Sequence, residues 1–240
     1  MESAVKQRYI PKPAAGRQLV IPDIHGCSQT FRALLAKVEL QPQDQLFLLG
    51  DYINRGPDNV GVIQTILDLQ AAGFSVFPLR GNHEQMAIDS HARRLKEPSQ
   101  VNVLASRRMK PKGLVDEQGL LLPSYLNFFQ SLPYYYELDD YFLVHAGFDF
   151  SQSQPLLHFE AMLWTNTMAS TSAASLGKQI VRGHVNQGLP IIKEEVSTSS
   201  PIISLDNGCY RHSQTGMGNL LCLDLTHQTL TIQPYQEHYS

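Results

Sequence analysis

The sequence predicts an α/β fold of two stacked mixed β-sheets flanked by helices. The first third alternates strand-like and helix-like patterns, and the C-terminal portion is rich in β signals. Polar side chains able to bind metals recur where strands give way to loops. Strand and helix in alternation build parallel strands joined by right-handed crossovers, and two sheets face to face with helices outside hold both halves.

Residues 1–17 are polar and proline-containing and are expected to form a poorly structured extension. "QLVIPD" (18–23) is a short β-rich run, after which Ser28 is expected to cap a segment with Phe31, Leu34, Leu35 and Val38 at helical spacing. "QLFLLGD" (45–51) is the second strand. Residues 60–72 then place Val60, Ile63, Ile66 and Leu67 on one helical face, and Gly73 offers a C-cap. "FSVFPLRGN" (74–82) completes a βαβαβ opening.

The pattern breaks over 85–133, where "RRLKEPSQVNVLASRRMKPK" holds seven basic residues and one acid. It reads as a helical and loop segment laid over the core like a cap, so residues 1–240 are expected to be one domain. The basic face is expected to be solvated; the other reading has it steer anions. "YYYELDDYFLVHAG" (134–147) is a hairpin turning at Asp139 and Asp140, with Tyr134, Tyr135 and Tyr136 packed inside. Further strands are expected at "KQIVRGH", "PIISLDNG", "NLLCLDL" and "TLTIQPY". There is no repeat of solenoid period.

Composition narrows the function classes. A hydrophobic share of 42% with 17% charged residues is ordinary for a soluble globular chain of 240 residues. A net charge of −3 and a pI of about 6.3 give no electrostatic footprint for nucleic acid. No run approaches the ~18 apolar residues of a membrane span, and the N-terminus lacks the apolar core of a secretory signal. Cys27, Cys209 and Cys222 are odd in number and far apart, so a reducing cytoplasm is the expected compartment. Cys27 is expected to be a buried thiol, and His91, His158, His212 and His227 ordinary histidines. The oligomeric state is left open.

Position carries the functional signal. Asp23 and His25 follow the first strand, Asp51 the second, and Asn82 and His83 the third; His145 ends the hairpin and His184 follows "QIVRG". In α/β sheets, ligands bind outside the carboxyl ends of strands, so these groups can converge. With His83 set aside, three imidazoles, two carboxylates and an amide, with no thiolate, suit divalent manganese, iron or zinc. Two such ions ~3.5 to 4 Å apart can activate water and neutralise a transferring phosphoryl group. "DIHG" or "GDYINRG" alone reads as a turn; "LRGNHEQM" is harder to explain by packing, and the ordered set carries the weight.

The motifs "DIHG", "GDYINRG", "RGNHE", "HAG" and "GH", in this order, resemble those of the calcineurin-like metallophosphoesterases, and within them the bacterial and phage serine/threonine phosphatase-like branch. The resemblance runs from Leu19 to the C-terminal strands. It implies that Asp23 and His25 hold a first metal, that Asp51 bridges, and that Asn82, His145 and His184 hold a second. His83 would be the general acid, and Arg55 and Arg80 would grip phosphate. The implied cofactors are two divalent ions, manganese foremost, with iron or zinc as alternatives. A metal-bridging hydroxide would attack phosphorus in line.

The implied activity is that of a phosphomonoesterase on phosphorylated protein side chains or a small phosphoester. Symmetrical hydrolysis of a dinucleoside polyphosphate is the alternative, and a weakly active phosphate-binding regulator is the reading from another class. Glu84, and a spacing of only 39 positions between His145 and His184, lean away from the polyphosphate branch. Two departures concern rate. Asn54 stands where many relatives have an aspartate that holds and charges the general acid; the amide can still accept a hydrogen bond from the ring, but the lost charge lowers the pKa of His83. Asn166 stands where relatives often have a phosphate-binding arginine, for which Arg182 either compensates or is a surface residue of its strand.

Overall fold

Strand residues alternate between two cores. In β2 (Gln18–Ile21), Leu19 and Ile21 face a layer of helices while Val20 faces the opposite sheet, and in β3 (Gln45–Leu48), Leu46 and Leu48 divide from Phe47 in the same way. A strand buried on both faces reads as a continuous apolar run, which is why these segments stand out in the sequence. The computed structural model describes residues 7–96, 113–168 and 177–237.

One sheet joins β2 and β3 to β4 (Ser75–Pro78) in parallel, and β9 (Asn219–Asp224) and β10 (Thr229–Pro234) extend it antiparallel in the order β10-β9-β2-β3-β4. The other contains β1 (Gln7–Tyr9), β5 (Tyr135–Glu137), β6 (Tyr141–Val144), β7 (Gln179–Arg182) and β8 (Ile202–Ser204), in the order β1-β5-β6-β7-β8. β5 and β6 form the expected hairpin, with Tyr135 opposite Val144. Between the sheets, Phe47 stacks on Phe77 at 5.0 Å and both meet Tyr136 edge-on.

Helices α1 (Ser28–Lys37) and α2 (Asn59–Ala71) follow β2 and β3, and α3 (Asn82–Lys96) starts just past β4. α4 (Pro123–Ser131) packs on α3; α5 (Phe159–Trp164) and α6 (Leu189–Ser197) lie beside the second sheet. Two local expectations change. Ser28 is the first helical residue of α1, not its cap; its hydroxyl donates to Asp58 at 2.6 Å, and Asp58 caps α2 by accepting from the Gly61 amide. The cap of α1 comes from the far end of the chain, where the Glu237 carboxylate accepts from the Gln29 and Thr30 amides. Gly73, with φ of 87°, lies one residue beyond the C-cap Ala72, where a left-handed residue ends a helix.

The stretch 1–17 contributes β1, which pairs parallel to β5. Over 85–133 the described residues give most of α3, an isolated bridge between Val115 and Leu121, and α4. Most of the basic stretch, residues 97–112, lies outside the described residues.

Candidate metal centre

Five strand ends deliver their side chains to one place. Asp23 and His25 lie just past β2, Asp51 past β3, Asn82 opens α3, His145 directly follows β6, and His184 lies two residues past β7. Asp23, Asp51, His25, Asn82 and His145 are buried, and His184 is partly so. The ligand atoms form two overlapping groups, His25–Asp51–His83 and Asp51–His145–His184, each with its atoms within 4.8 Å of one another. Asp51 belongs to both. Its Oδ2 lies 3.6 Å from His25 Nε2 and 3.9 Å from His83 Nε2, and its Oδ1 lies 3.6 Å from His145 Nε2. Asp23 Oδ2 is 3.8 Å from His25 Nε2.

The local backbone is bent to make this possible. His25, Asp51, Asn54, Arg55 and His184 all have φ between 50° and 71°, a left-handed conformation that costs an ordinary residue ~1–3 kcal/mol. Glycine supplies the closest approaches. A Cβ on Gly183 would lie 2.1 Å from Asp23 Oδ1, and one on Gly81 would lie 2.2 Å from Asp51 Oδ1. Two imidazoles are aimed by backbone carbonyls: His25 Nδ1 is 3.1 Å from the Ile53 oxygen, and His145 Nδ1 is 2.9 Å from that of Leu49. A proton held on Nδ1 leaves the Nε2 lone pair facing inward, the tautomer a metal ligand needs.

The donor set fits a cation. The inward end of the Asn82 amide sits 2.9 Å from His145 Nε2, 3.2 Å from His184 Nδ1, and 3.1 and 3.3 Å from the two Asp51 oxygens. Turned one way the amide donates to these groups; turned the other, its oxygen joins the Asp51 carboxylate and the two imidazoles in a nitrogen and oxygen donor set that suits a divalent ion. Burial, with Asp206 and Asp51 as neighbouring acids, pushes the Asp23 carboxyl well above the usual range; burial and Glu84 do the same to Asp51. Burial also holds His25 and His145 well below their ordinary pKa and lowers His83 and His184 to about 4. Neutral imidazoles beside carboxylates that resist ionising are what a divalent ion relieves.

The remaining expected groups divide. His83 is buried within the first of these groups, its ring 4.8 Å from that of His25, and the Asn54 amide nitrogen is 2.7 Å from its Nδ1. The amide therefore donates to the ring rather than accepting from it, a correction to the expected hydrogen bond. Arg55 is exposed and lies over the Tyr210 ring at 5.4 Å; among the described residues its guanidinium has no hydrogen-bond or ion-pair partner. Arg80 is turned away: its guanidinium donates to Gln85, the Tyr134 hydroxyl and the Gln130 carbonyl. Arg182 is buried, donating to Ser204 Oγ and the Ala146 and Asn166 carbonyls, so it is not a surface residue of its strand.

Three residues have a part in the site that the motif reading did not assign, Glu84 among them although it closes "RGNHE". Glu84, fully buried, accepts from the Asp51, Tyr52 and Gly81 amides and ties the ends of β3 and β4 together. Asp206 is buried just past β8, where it accepts from the Gly208 amide and from Asn186; the strand-end rule that found the other acids applies to it equally. Tyr210 meets the His25 ring edge-on at 4.9 Å.

A family model described as calcineurin-like phosphoesterase matches residues 16–208. A symmetrical bis(5'-nucleosyl)-tetraphosphatase of Acidovorax sp. (strain JS42) is 45% identical over 65 residues, 27% of this chain and 22% of that protein. Serine/threonine-protein phosphatase 1 of Salmonella typhimurium is 38% identical over 74 residues, 30% of this chain and 32% of that protein. The matched stretch thus spans about a fifth to a third of these relatives' length. Among solved structures, a protein provisionally designated a diadenosine tetraphosphatase is alike with a TM-score of 0.62 at 20% identity, over 97% of this chain and 99% of that one. A protein serine/threonine phosphatase of Saccharomyces cerevisiae is alike with a TM-score of 0.63 at 16% identity, over 99% and 86%. These structural likenesses are of fold. A family match over most of the length, on a chain that gathers acids, imidazoles and an amide at its strand ends, leads to one statement: this chain belongs to the calcineurin-like phosphoesterase family.

Proposed function

We propose that the protein is a metal-dependent phosphoester hydrolase that binds two divalent ions and acts best on phosphates with good leaving groups. The observation that carries this reading is Asp51, whose two oxygens lie 3.6 Å from His25 Nε2 on one side and 3.6 Å from His145 Nε2 on the other, near an exposed Arg55 that has no ion-pair partner among the described residues. Asp23, His25 and Asp51 would hold one ion, and Asp51, Asn82, His145 and His184 the other, manganese being the first choice and iron or zinc the alternatives. Bound ions supply charge neutralisation for the phosphoryl group and an activated water.

The protein's own groups do the rest. Arg55 presents a planar fork to phosphate oxygens, whereas Arg80 acts at a distance by bracing α4 against the end of β4. Attack of water on phosphorus forms one P–O bond as the bond to the leaving oxygen breaks. His83 Nε2 would donate a hydrogen bond to that oxygen. With its pKa lowered to about 4 and Nδ1 accepting from Asn54, the ring is neutral at neutral pH and protonates an alkoxide weakly.

Two substrate classes remain in view. The phosphomonoester reading, a serine/threonine or dual-specificity protein phosphatase, is supported by the Salmonella relative and by Glu84 and the short His145–His184 spacing. The dinucleoside polyphosphate reading is supported by the tetraphosphatase relatives and by the weakened acid, since a departing phosphate needs no proton. Rates on p-nitrophenyl phosphate, a phosphoserine peptide and diadenosine tetraphosphate, with Mn(II) and with the His83→Asn variant, test the proposal. The expected result is metal-dependent turnover with the peptide slowest. Absence of hydrolysis of every substrate would overturn the hydrolase reading, and a peptide turned over fastest would overturn the leaving-group argument.

A further inference from the structure

Two guanidinium groups, not one, flank the Tyr210 ring. Arg55 lies 5.4 Å and Arg211 5.5 Å from its centroid. Arg211 Nε donates to the Tyr210 hydroxyl at 3.2 Å and Nη1 to Gln214 Oε1 at 3.2 Å. Among the described residues neither arginine has an acidic partner within ion-pair distance, although Arg17, Arg32, Lys12 and Lys178 each do. Two guanidinium groups with no ion-pair partner among the described residues, set around one aromatic ring that is itself edge-on to His25, form a place prepared for anionic charge.

The loop that carries Arg211 is fixed in advance. The Gly208 amide donates to Asp206 Oδ1 at 2.7 Å, and the Arg211 amide donates to the Gly208 oxygen at 2.7 Å. Gly208 has φ of 62°, and a Cβ there would lie 2.9 Å from Arg211 Cδ, so the arginine stem packs on bare backbone. Arg55 lies close enough to His83, His25 and Asp51 to affect their protonation, and Arg211 lies close enough to Asp206 to do the same there.

We infer that Tyr210 and Arg211 form a second anion subsite that holds a phosphate of the substrate adjacent to the one being cleaved, so that the preferred substrate carries contiguous phosphates. This inference rests on the hydrolase reading and chooses within it. A terminal phosphate rather than a carboxylate is the better match, because its three terminal oxygens and charge of about −2 suit a fork that can donate two parallel bonds. Arg211 is a specificity-determining residue, with Arg55 serving the phosphate nearer the metal centre.

Isothermal titration of the Mn(II)-loaded full chain with orthophosphate and with diphosphate, each pre-equilibrated at the same free Mn(II), provides the test. Arg211→Gln should weaken diphosphate binding at least about tenfold while changing orthophosphate affinity less than about threefold. Arg211→Lys, which keeps the charge and loses the fork, should fall between, and it carries the test if the glutamine variant does not fold. Equal losses for both ligands, or no loss for either, would overturn the inference. So would a tenfold loss confined to a phosphoserine peptide with a neighbouring aspartate. A wild-type chain that binds orthophosphate and hydrolyses esters while Arg211→Gln binds diphosphate normally refutes the subsite alone. A wild-type chain that neither binds orthophosphate nor hydrolyses any ester refutes the hydrolase reading and the subsite with it.

Discussion

Replacing Asn54 by Asp exchanges one atom and should change the chemistry of His83. The amide nitrogen now 2.7 Å from Nδ1 would become a carboxylate oxygen, turning a donor to the ring into an anionic acceptor from it. His83 starts with a pKa lowered to about 4, by burial first and then by the charge of Arg55. An opposite charge in direct contact raises such a group by about 1–3 units. Each unit multiplies the imidazolium fraction at neutral pH about tenfold until the pKa reaches the pH. The substitution should therefore raise kcat/KM about 10- to 500-fold on a phosphoserine peptide, whose alkoxide needs a proton. On p-nitrophenyl phosphate the change should be severalfold at most. The alkaline limb of the pH–rate profile should move up by about 1–3 units. Measuring both substrates from pH 5 to 9 in wild type and variant is sufficient. An unchanged profile with unchanged rates would refute the role assigned to the Asn54–His83 contact.

Gly183→Ala should drive a methyl group into Asp23, because its Cβ would lie 2.1 Å from Oδ1; metal affinity should fall at least about tenfold by titration, more than the melting temperature of the metal-free protein changes. Stability should depend on pH differently with and without metal. In the metal-free protein His83 and His184 titrate at about 4 instead of 6.5, so the unfolded chain takes up protons first and stability falls, by up to about 3 kcal/mol each, as pH drops from 6.5 to 4. Glu84, raised from 4.5 to about 7, and Asp206, raised from 3.8 to about 6, act oppositely: the native state keeps its protons and loses stability as pH rises through that window. The opposing slopes predict a nearly flat profile from pH 4.5 to 6.5 by urea denaturation. With Mn(II) saturating, stability should climb with pH, because the metal displaces protons from Asp23 and Asp51. A steep metal-free profile or a pH-independent metal increment would contradict this balance.

The βαβαβ opening was legible because β2, β3 and β4 are covered on both faces and stop abruptly at polar residues, so strand ends and candidate ligands announce each other. Asp23, Asp51 and Asn82 are found that way. Side-chain direction is not written in a motif. Arg80 adjoins Gly81 and Asn82, yet its guanidinium runs to the Gln130 carbonyl on α4, a long-range partner invisible in local sequence. Arg182 is likewise drawn inward by Ser204, Ala146 and Asn166. β1 has three residues and no apolar alternation, and only its pairing with β5 makes it a strand. α5 and α6 are six and nine residues long, too short for periodicity to separate them from loops, although Pro190 marks the first turn of α6. Asp206 had a readable signal, a strand-end acid within "SLDNG", but belonged to none of the five motifs.

The central claim is that one carboxylate joins two cation sites. Metal content of the purified chain, measured by elemental analysis after dialysis against Mn(II) for the wild type and for Asp51→Asn, tests it most directly. Two divalent ions per chain in the wild type and a loss affecting both sites in the variant are predicted. One ion or none in the wild type, or two ions retained without the Asp51 carboxylate, would contradict it.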